Sequence, residues 1–298
     1  MASNDLIRST KDSEVALKSR KKDAVVFLTI IYVICTILAI LSLWPFVCML
    51  INATRDTESI MANAVSLIPG DHLKVNIDAL KKITTFNAKT GMKNSFIISA
   101  SATILTVYFS SLTAYAIYAY DWKLKKAFFG LILGIMMLPG TVTIVGFYRT
   151  CYKLHLTDNK LMLILPAIAA PGVVFFMKQY LEGALSMEIV ESARIDGAGE
   201  FRTFNTIVLP IMKPAMATQA IFAFVGNWNN YFLPMILFIK QKNYTMPIMV
   251  SLLNGDIYKR EFGCIYLGLS TTALPLIIIY LLLSKYIISG VALGSVKG

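Results

Sequence analysis

The stretch of the chain best suited to binding another protein is residues 182–213, where charged and apolar side chains interleave. Its charged positions have mixed sign and include Glu188, Glu191, Arg194, Asp196, Glu200 and Arg202. Amphipathic helices that lie on lipid usually carry Lys and Arg on their polar face. Because five residues of this loop are acids, its composition favours a protein-docking surface over a membrane-surface helix.

A short helix is predicted at the start of this loop. Ser186 can cap it, because a serine side chain accepts a hydrogen bond from the first free amides of a helix. Ile189, Ala193 and Gly197 then fall on one face. Gly197 can adopt the left-handed conformation that ends a helix.

A second amphipathic segment is predicted to follow at a sharp angle to the first. Phe201, Phe204 and Val208 lie on one side of it, and Pro210 breaks it because proline has no backbone N–H. Small residues occupy the bend between the two segments. They would let the backbone of another protein approach closely.

A second set of residues with chemical potential lies further along the chain. The densest cluster of neutral polar side chains is the run Asn227-Trp228-Asn229-Asn230-Tyr231. Amides that hydrogen-bond, next to flat aromatic faces, suit a neutral polyhydroxylated ligand such as a sugar. The alternative is that the amides hold neighbouring helices together, as polar residues often do in membranes. Both interpretations stay open at this point.

The composition determines what kind of scaffold holds these residues. The 298-residue chain has 28 basic and 17 acidic side chains, or 15% charged, with 56% apolar residues and a mean hydropathy of +0.65. A soluble domain has about 25% charged residues, and disordered chains have low hydrophobicity. The sequence therefore predicts an all-α integral membrane protein that crosses the bilayer several times.

Six runs are nearly free of Asp, Glu, Lys and Arg, and most are close to the roughly 20 residues that cross a bilayer. The predicted spans cover about 24–51, 94–120, 127–148, 161–181, 214–239 and 262–286. The transmembrane domain is then 24–290, with polar tails at 1–23 and 291–298. Residues 182–213 form the loop between the fourth and fifth spans.

The distribution of positive charge predicts the orientation. The net charge is +11, but the basic residues lie between apolar runs rather than on one face, which argues against a nucleic-acid partner and favours contact with membrane lipid. Lys18, Arg20, Lys21 and Lys22 abut the first span. By the positive-inside rule they predict a cytoplasmic N-terminus. Six spans return the C-terminus to the cytoplasm and place the 182–213 loop there.

The predicted spans contain no machinery of their own for energy coupling. His72 and His155 lie outside the main apolar runs, and ionisable residues inside a bilayer are usually what a proton relay requires. No convergent acid–base or nucleophile constellation is visible, so no catalytic residue, metal site or bound cofactor is predicted. The four cysteines form no CxxC pair.

The 182–213 loop resembles a known signature. Glu191-Ser192-Ala193, three residues, Gly197, nine residues and then Ile207-x-Leu209-Pro210 is similar to the EAA motif of ABC importer permeases. The one departure is Ser192, where the family pattern has alanine. The flanking Arg194-Ile195-Asp196-Gly197-Ala198 and the run 228–231 resemble the carbohydrate branch, and the terminal 290–298 is similar to the maltose-type inner-membrane permease.

This resemblance implies the type I importer permease fold and a role for each motif residue. The loop would form a coupling helix that sits in a groove of a cytoplasmic ABC ATPase, with Glu191 as polar anchor, Ala193 as close-contact residue and Gly197 as hinge. The ATPase-coupling set implied by the motif is Glu191, Ser192, Ala193, Arg194, Asp196, Gly197, Ile207, Leu209 and Pro210. ATP would be used by the partner, since this chain has no GxxxxGK[ST] phosphate loop.

The same resemblance implies further partners and a cellular location. They are a second homologous permease subunit and an extracellular solute-binding protein, at a bacterial cell membrane. The outer loop 240–262, with its apolar segment 244–253, is expected either to contact that binding protein or to be a re-entrant surface segment. The implied function is import of a sugar or oligosaccharide. An amino acid, polyamine or phosphate remains an alternative cargo, as does a transporter or channel that needs no ATPase.

Overall fold

The computed structural model describes residues 2–253 and 261–294, with side chains at 24–140, 142–253 and 261–281. Within these residues the chain is helical and has no strand, as the composition predicts. Part of the predicted tail 291–298 and part of the outer loop 240–262 lie outside the described residues.

Fifteen α-helices are present in the described residues. In chain order they are α1 (Ala2–Asn52), α2 (Thr57–Ala62), α3 (Leu73–Lys82), α4 (Ala88–Ala119), α5 (Lys125–Met136), α6 (Gly140–Lys153), α7 (Leu161–Ile164), α8 (Pro171–Ala184), α9 (Met187–Ile195), α10 (Glu200–Thr203), α11 (Leu209–Ile211), α12 (Lys213–Trp228), α13 (Phe232–Leu237), α14 (Met246–Leu252) and α15 (Phe262–Gly294). A π turn joins α10 to α11, and 3-10 turns follow α7 and precede α14.

Four stretches are long and apolar enough to cross a membrane, and they coincide with the first, second, fourth and sixth predicted spans. Their bounds are Ala24–Asn52, Ala88–Ala119, Leu161–Ala184 and Phe262–Leu281. The bent pair Glu200–Ile211 and Lys213–Trp228 counts as at most a fifth. A total of six spans stays a prediction.

The third and fifth predicted spans are each divided between two helices. The run 127–148 is split between α5 and α6 just before Pro139, and 214–239 is split between α12 and α13 a few residues before Pro234. Proline cannot donate to the carbonyl four residues earlier, and its ring clashes with that carbonyl. Pro139 directly precedes α6 and Pro234 lies in the first turn of α13, positions at which the missing amide has no partner within the helix to lose.

Helix α4 lies at the centre of the bundle and packs against α12, α8 and α14. Its buried face carries small residues at helical spacing, namely Ser95, Ser99, Ala102, Ser110 and Ala114. Small side chains let membrane helices approach closely. The 32-residue helix contains no proline, so it runs unbroken between the two ends of the bundle.

The turn between α13 and α14 is held by Asp158. One carboxylate oxygen accepts hydrogen bonds from the backbone amides of Ile239 (3.2 Å) and Lys240 (3.0 Å) and from the side-chain amide of Asn243 (3.0 Å). Burial raises the pKa of the Asp158 carboxyl, but these hydrogen bonds outweigh it and the pKa is lowered. The charged carboxylate thereby fixes where α14 enters the bundle.

Candidate functional site

We call residues 182–213 the EAA loop and α9 the EAA helix. The EAA helix is closed at both ends by local hydrogen bonds. The Ser186 hydroxyl accepts from the amide of Glu188 (3.3 Å), which confirms the predicted cap. At the other end the backbone amide of Gly197 donates to the carbonyl of Arg194, and the backbone amide of Ala198 donates to the carbonyl of Ala193, both at 3.0 Å. This is a Schellman motif, and Gly197 has the positive φ of 77° that the motif requires.

The two faces of the EAA helix differ in exposure. Val190 and Ala193 are buried, at 0% and 5%. Glu191, Ser192 and Ile195 are exposed, with Ile195 at 86%. Ala193, expected as a close-contact residue toward a partner, therefore faces the chain's own core. Ile195 was missed because sequence reasoning gave weight to the small residues of the motif.

The second segment of the EAA loop turns through a π turn. Phe204 and Val208 are buried, as expected, but Phe201 is 68% exposed. The amide of Leu209 donates to the carbonyl of Phe204, five residues back. Pro210, which lacks an amide, is the second residue of the short helix α11, and the chain bends by 80° only after that helix.

The remaining motif residues lie on or beside these two segments. Arg194 is half-buried in the last turn of α9, while Asp196 and Gly197 are exposed where that helix ends. Ile207 and Leu209 are half-buried. The motif therefore divides into an exposed edge on α9 and a largely packed second segment.

Two tyrosine side chains at the end of α4 hydrogen-bond to the EAA loop. The Tyr118 hydroxyl donates to the carbonyl of Leu185 (2.7 Å), before α9. The Tyr120 hydroxyl donates to the Glu200 carboxylate, after α9. Sequence reasoning missed these contacts, because aromatic residues in an apolar run indicate only a membrane span.

Glu200 also binds the EAA helix directly. Its second carboxylate oxygen accepts from Nε of Arg194 at 2.8 Å, and the Arg194 guanidinium lies 5.4 Å from the centre of the Tyr120 ring. The hydrogen bond from Tyr120, and then that from Arg194, hold the pKa of Glu200 below its ordinary value of 4.5, although partial burial acts in the opposite direction. Glu200 is therefore a carboxylate at neutral pH.

The polar cluster 227–231 is split by the structure. Trp228 is 1% exposed, and its indole N–H donates to the carbonyl of Thr272 (3.2 Å) while its ring stacks on Phe224. The side-chain amide of Asn227 donates to the carbonyl of Ala223 in its own helix (2.8 Å). These two residues fit the helix-packing interpretation.

Asn229 and Tyr231 instead line a cavity of about 320 Å³ at the break between α12 and α13. The other lining residues are Pro247, Val250, Ser251, Leu269 and Thr272. Asn230 lies between them, and its backbone amide donates to the carbonyl of Asn227 (3.3 Å). Small-molecule sites commonly have volumes of about 300 Å³ or more. The cavity is therefore of a size that can hold part of a small polar ligand.

One wall of this cavity is α14, which belongs to the segment 244–253. Met246 and Met249 of α14 are fully buried. They pack so closely on Gly91 of α4 that an added Cβ would lie 2.8 and 2.9 Å from their sulfur atoms. These methionines are thus packed within the bundle rather than presented to a partner.

Several helices of membrane-spanning length define the chain as a multi-pass membrane protein. A family model described as "Binding-protein-dependent transport system inner membrane component" matches residues 106–292. The chain belongs to this family, which confirms the resemblance seen in the EAA motif.

Similar proteins include sugar transport permeases. The arabinooligosaccharides transport system permease protein AraQ of Bacillus subtilis is 33% identical over 272 residues, covering 88% of this chain and 92% of that protein. The melibiose/raffinose/stachyose import permease protein MelC of the same organism is 32% identical, covering 69% of this chain and 75% of that protein. In fold, the chain is similar to a chain in the crystal structure of a bacterial ABC transporter involved in the import of the acidic polysaccharide alginate. That match has a TM-score of 0.76 and 20% identity, and covers 88% of this chain and 96% of the other.

Proposed function

We propose that this chain is a permease subunit of an ATP-driven importer for a sugar or oligosaccharide. It forms the translocation pathway together with a second homologous permease subunit, and an extracellular binding protein delivers the cargo. ATP is hydrolysed by cytoplasmic ATPase subunits, and this chain contributes the pathway without catalysis or a bound cofactor. The names of its relatives AraQ and MelC support a carbohydrate cargo.

The EAA helix carries this proposal. Its exposed edge, with Glu191 and Ile195, stands on a helix that is capped at both ends and bonded to α4. A rigid helix that exposes both charged and apolar side chains suits insertion into a groove of another protein. In this arrangement Ala193 packs the helix against its own chain, and Gly197 fixes its end.

The orientation follows from the same assignment. The EAA loop and both termini are cytoplasmic, in a bacterial cell membrane, and the broken pairs α5/α6 and α12/α13 supply the third and fifth of six spans. The basic residues next to α1's apolar run, Lys18 to Lys22, support this orientation.

The cavity at the helix break is the proposed contact for the cargo. Asn229 offers amide hydrogen bonds, and Tyr231 offers a hydroxyl group and a ring face. That combination suits sugar hydroxyl groups and the apolar face of a pyranose. Trp228 is assigned to packing because it is buried between α12 and α15.

One observation favours an anionic solute as a second candidate cargo. At the end of the bundle opposite the EAA loop, Nζ of Lys160 contacts the side-chain oxygen of Asn94 (2.5 Å). Burial, and then the charges of Lys93 and Lys242, lower the pKa of Lys160. A group of lysines that repel one another would be stabilised by an anion.

Uptake measurements distinguish the two cargoes. The complex is purified through a tag on this chain and reconstituted in liposomes so that its ATPase subunits face the lumen, which contains ATP. The binding protein and a radiolabelled solute are then added outside the liposomes. We expect accumulation of a neutral oligosaccharide that Lys160→Gln leaves unchanged. Accumulation of an acidic solute only, lost in Lys160→Gln, would replace the sugar assignment with the anionic one.

A further inference from the structure

One unbroken helix connects the EAA loop with the wall of the cavity. Helix α4 has 32 residues, or about 48 Å at a rise of 1.5 Å per residue. One end contacts the EAA loop, and the other packs through Gly91 on Met246 and Met249 of α14, whose Ser251 lines the cavity. The alternative connection, α12, begins at an 80° bend. Because α4 is one continuous helix without proline, it is the stiffer link.

Both ends of the EAA helix are attached to α4. The Tyr118 hydroxyl holds the chain just before α9 through the Leu185 carbonyl. After α9, Glu200 accepts one hydrogen bond from Arg194 and one from Tyr120, so three elements meet at one carboxylate. Neither residue of the Tyr120–Glu200 pair belongs to the EAA motif.

The Tyr120–Glu200 contact is supported by packing on its inner side. The Tyr115 ring lies edge-on to the Tyr120 ring (5.8 Å between centres) and stacks on Phe204 of the EAA loop (5.6 Å). Tyr115 is 2% exposed. The rings restrict the position of the Tyr120 side chain, so a displacement of Glu200 is passed to the end of α4 rather than absorbed by a rotating side chain.

We propose that Tyr120 and Glu200 are positioning residues that pass the movement of the EAA helix to α4, and through α4 to α14 and the cavity. The inference rests on the proposed function, in which an ATPase moves α9. Arg194 holds the end of α9 on the Glu200 carboxylate, and Tyr120 holds the same carboxylate on α4. Loss of either contact removes the hydrogen-bonded link between the end of α9 and α4, and leaves the Tyr118–Leu185 bond before α9 as the remaining hydrogen bond to α4 described above.

The test compares Tyr120→Phe and Glu200→Gln with matched controls in the reconstituted complex. Tyr120→Phe removes one hydroxyl, and Glu200→Gln removes the charge at similar size. Controls are Tyr152→Phe, at a residue 65% exposed on α6, and Glu58→Gln, at an exposed position of α2. Uptake and ATP hydrolysis are measured together, along with the ratio of ATPase to permease in the purified complex.

We expect both variants to keep ATP hydrolysis and subunit ratio, while cargo moved per ATP falls roughly ten-fold or more, the factor for one lost hydrogen bond to a charged group. The double variant should be no worse than the worse single one, because both remove the same contact. Unchanged cargo per ATP in both variants overturns the inference. So does a decrease in bound ATPase that matches the decrease in uptake, because the two residues would then act in assembly of the complex. If the unmodified complex shows no ATP-driven uptake, the proposed function itself fails.

Discussion

The phenolic oxygen of Tyr231 lies 2.9 Å from Oγ of Ser251. This contact joins the break after α12 to the short helix α14, and both residues line the cavity. Because α14 also packs on α4 through Gly91, the cavity is bounded by elements that respond to both α4 and α12. A change in the position of either helix therefore changes the shape of the proposed cargo site.

The cavity assignment predicts different effects of substitution at Asn227 and Asn229, which are two residues apart. Asn229→Leu should raise the KM for cargo uptake about ten-fold, since one lost hydrogen bond in a ligand site is worth roughly 1.4 kcal/mol. Asn227→Leu should leave the KM unchanged, because the Asn227 amide is bonded within its own helix. Initial uptake rates across a range of cargo concentrations give both values. Equal effects at the two positions would favour helix packing for the whole cluster.

The left-handed backbone conformation of Gly197 predicts that any side chain at this position lowers the stability of the end of the EAA helix. Gly197→Ala should destabilise the end of the EAA helix by roughly 1 kcal/mol and speed amide exchange in its last turn about five-fold. Gly199→Ala is the matched control, because its φ is −65° and nothing lies within 4 Å of an added Cβ. Hydrogen–deuterium exchange of the purified complex measures both. Similar exchange rates in the two variants would contradict the claim that the Schellman motif at Gly197 stabilises the end of the EAA helix.

The close approach of Gly91 to α14 predicts sensitivity to a single methyl group. Gly91→Ala should lower the free energy of unfolding by about 1–3 kcal/mol, as overpacking of a filled core does, because the new Cβ would meet the sulfur atoms of Met246 and Met249. Gly130→Ala, on α5 with nothing within 4 Å, should have little effect. Thermal unfolding in detergent compares them. A Gly91→Ala protein as stable as Gly130→Ala would mean that the methionines move aside without cost.

The pH dependence of coupling follows from the lowered pKa of Glu200. A carboxyl whose pKa is depressed on folding contributes its interaction above its ordinary value of 4.5 and loses it as pH falls through the folded value. Cargo moved per ATP should therefore not change through protonation of Glu200 between about pH 6 and 8. A fall within that window that disappears in Glu200→Gln would contradict the lowered pKa.

Local rules predicted the features that depend on neighbouring residues. Ser186 caps α9 and Gly197 ends it because capping needs only a hydroxyl or a missing Cβ at the correct position. Long apolar runs likewise identified four membrane-length helices. Pro139 and Pro234 lie near the breaks in the third and fifth spans, but Pro45 and Pro275 lie inside continuous helices, so a proline in the sequence does not by itself predict a break.

Contacts between distant segments could not be predicted in the same way. Tyr120 and Glu200 are 80 residues apart, and no local pattern relates a tyrosine at the end of an apolar run to an acid in a loop. The roles of Trp228 and Asn229 also depend on where α14 and α15 lie. Adjacent residues of one polar cluster therefore have different positions, Trp228 packed between helices and Asn229 in the cavity wall.

The most direct test of the central claim is ATP-driven uptake of oligosaccharide by the reconstituted complex, with and without Glu191→Ala. We expect the unmodified complex to accumulate cargo only with ATP and binding protein. Glu191→Ala should reduce uptake about thirty-fold or more, because truncating one partner of an interfacial charge contact costs roughly 2 kcal/mol or more. Glu58→Ala should have no effect. Accumulation that proceeds without ATP, or that is unchanged in Glu191→Ala, would contradict the account.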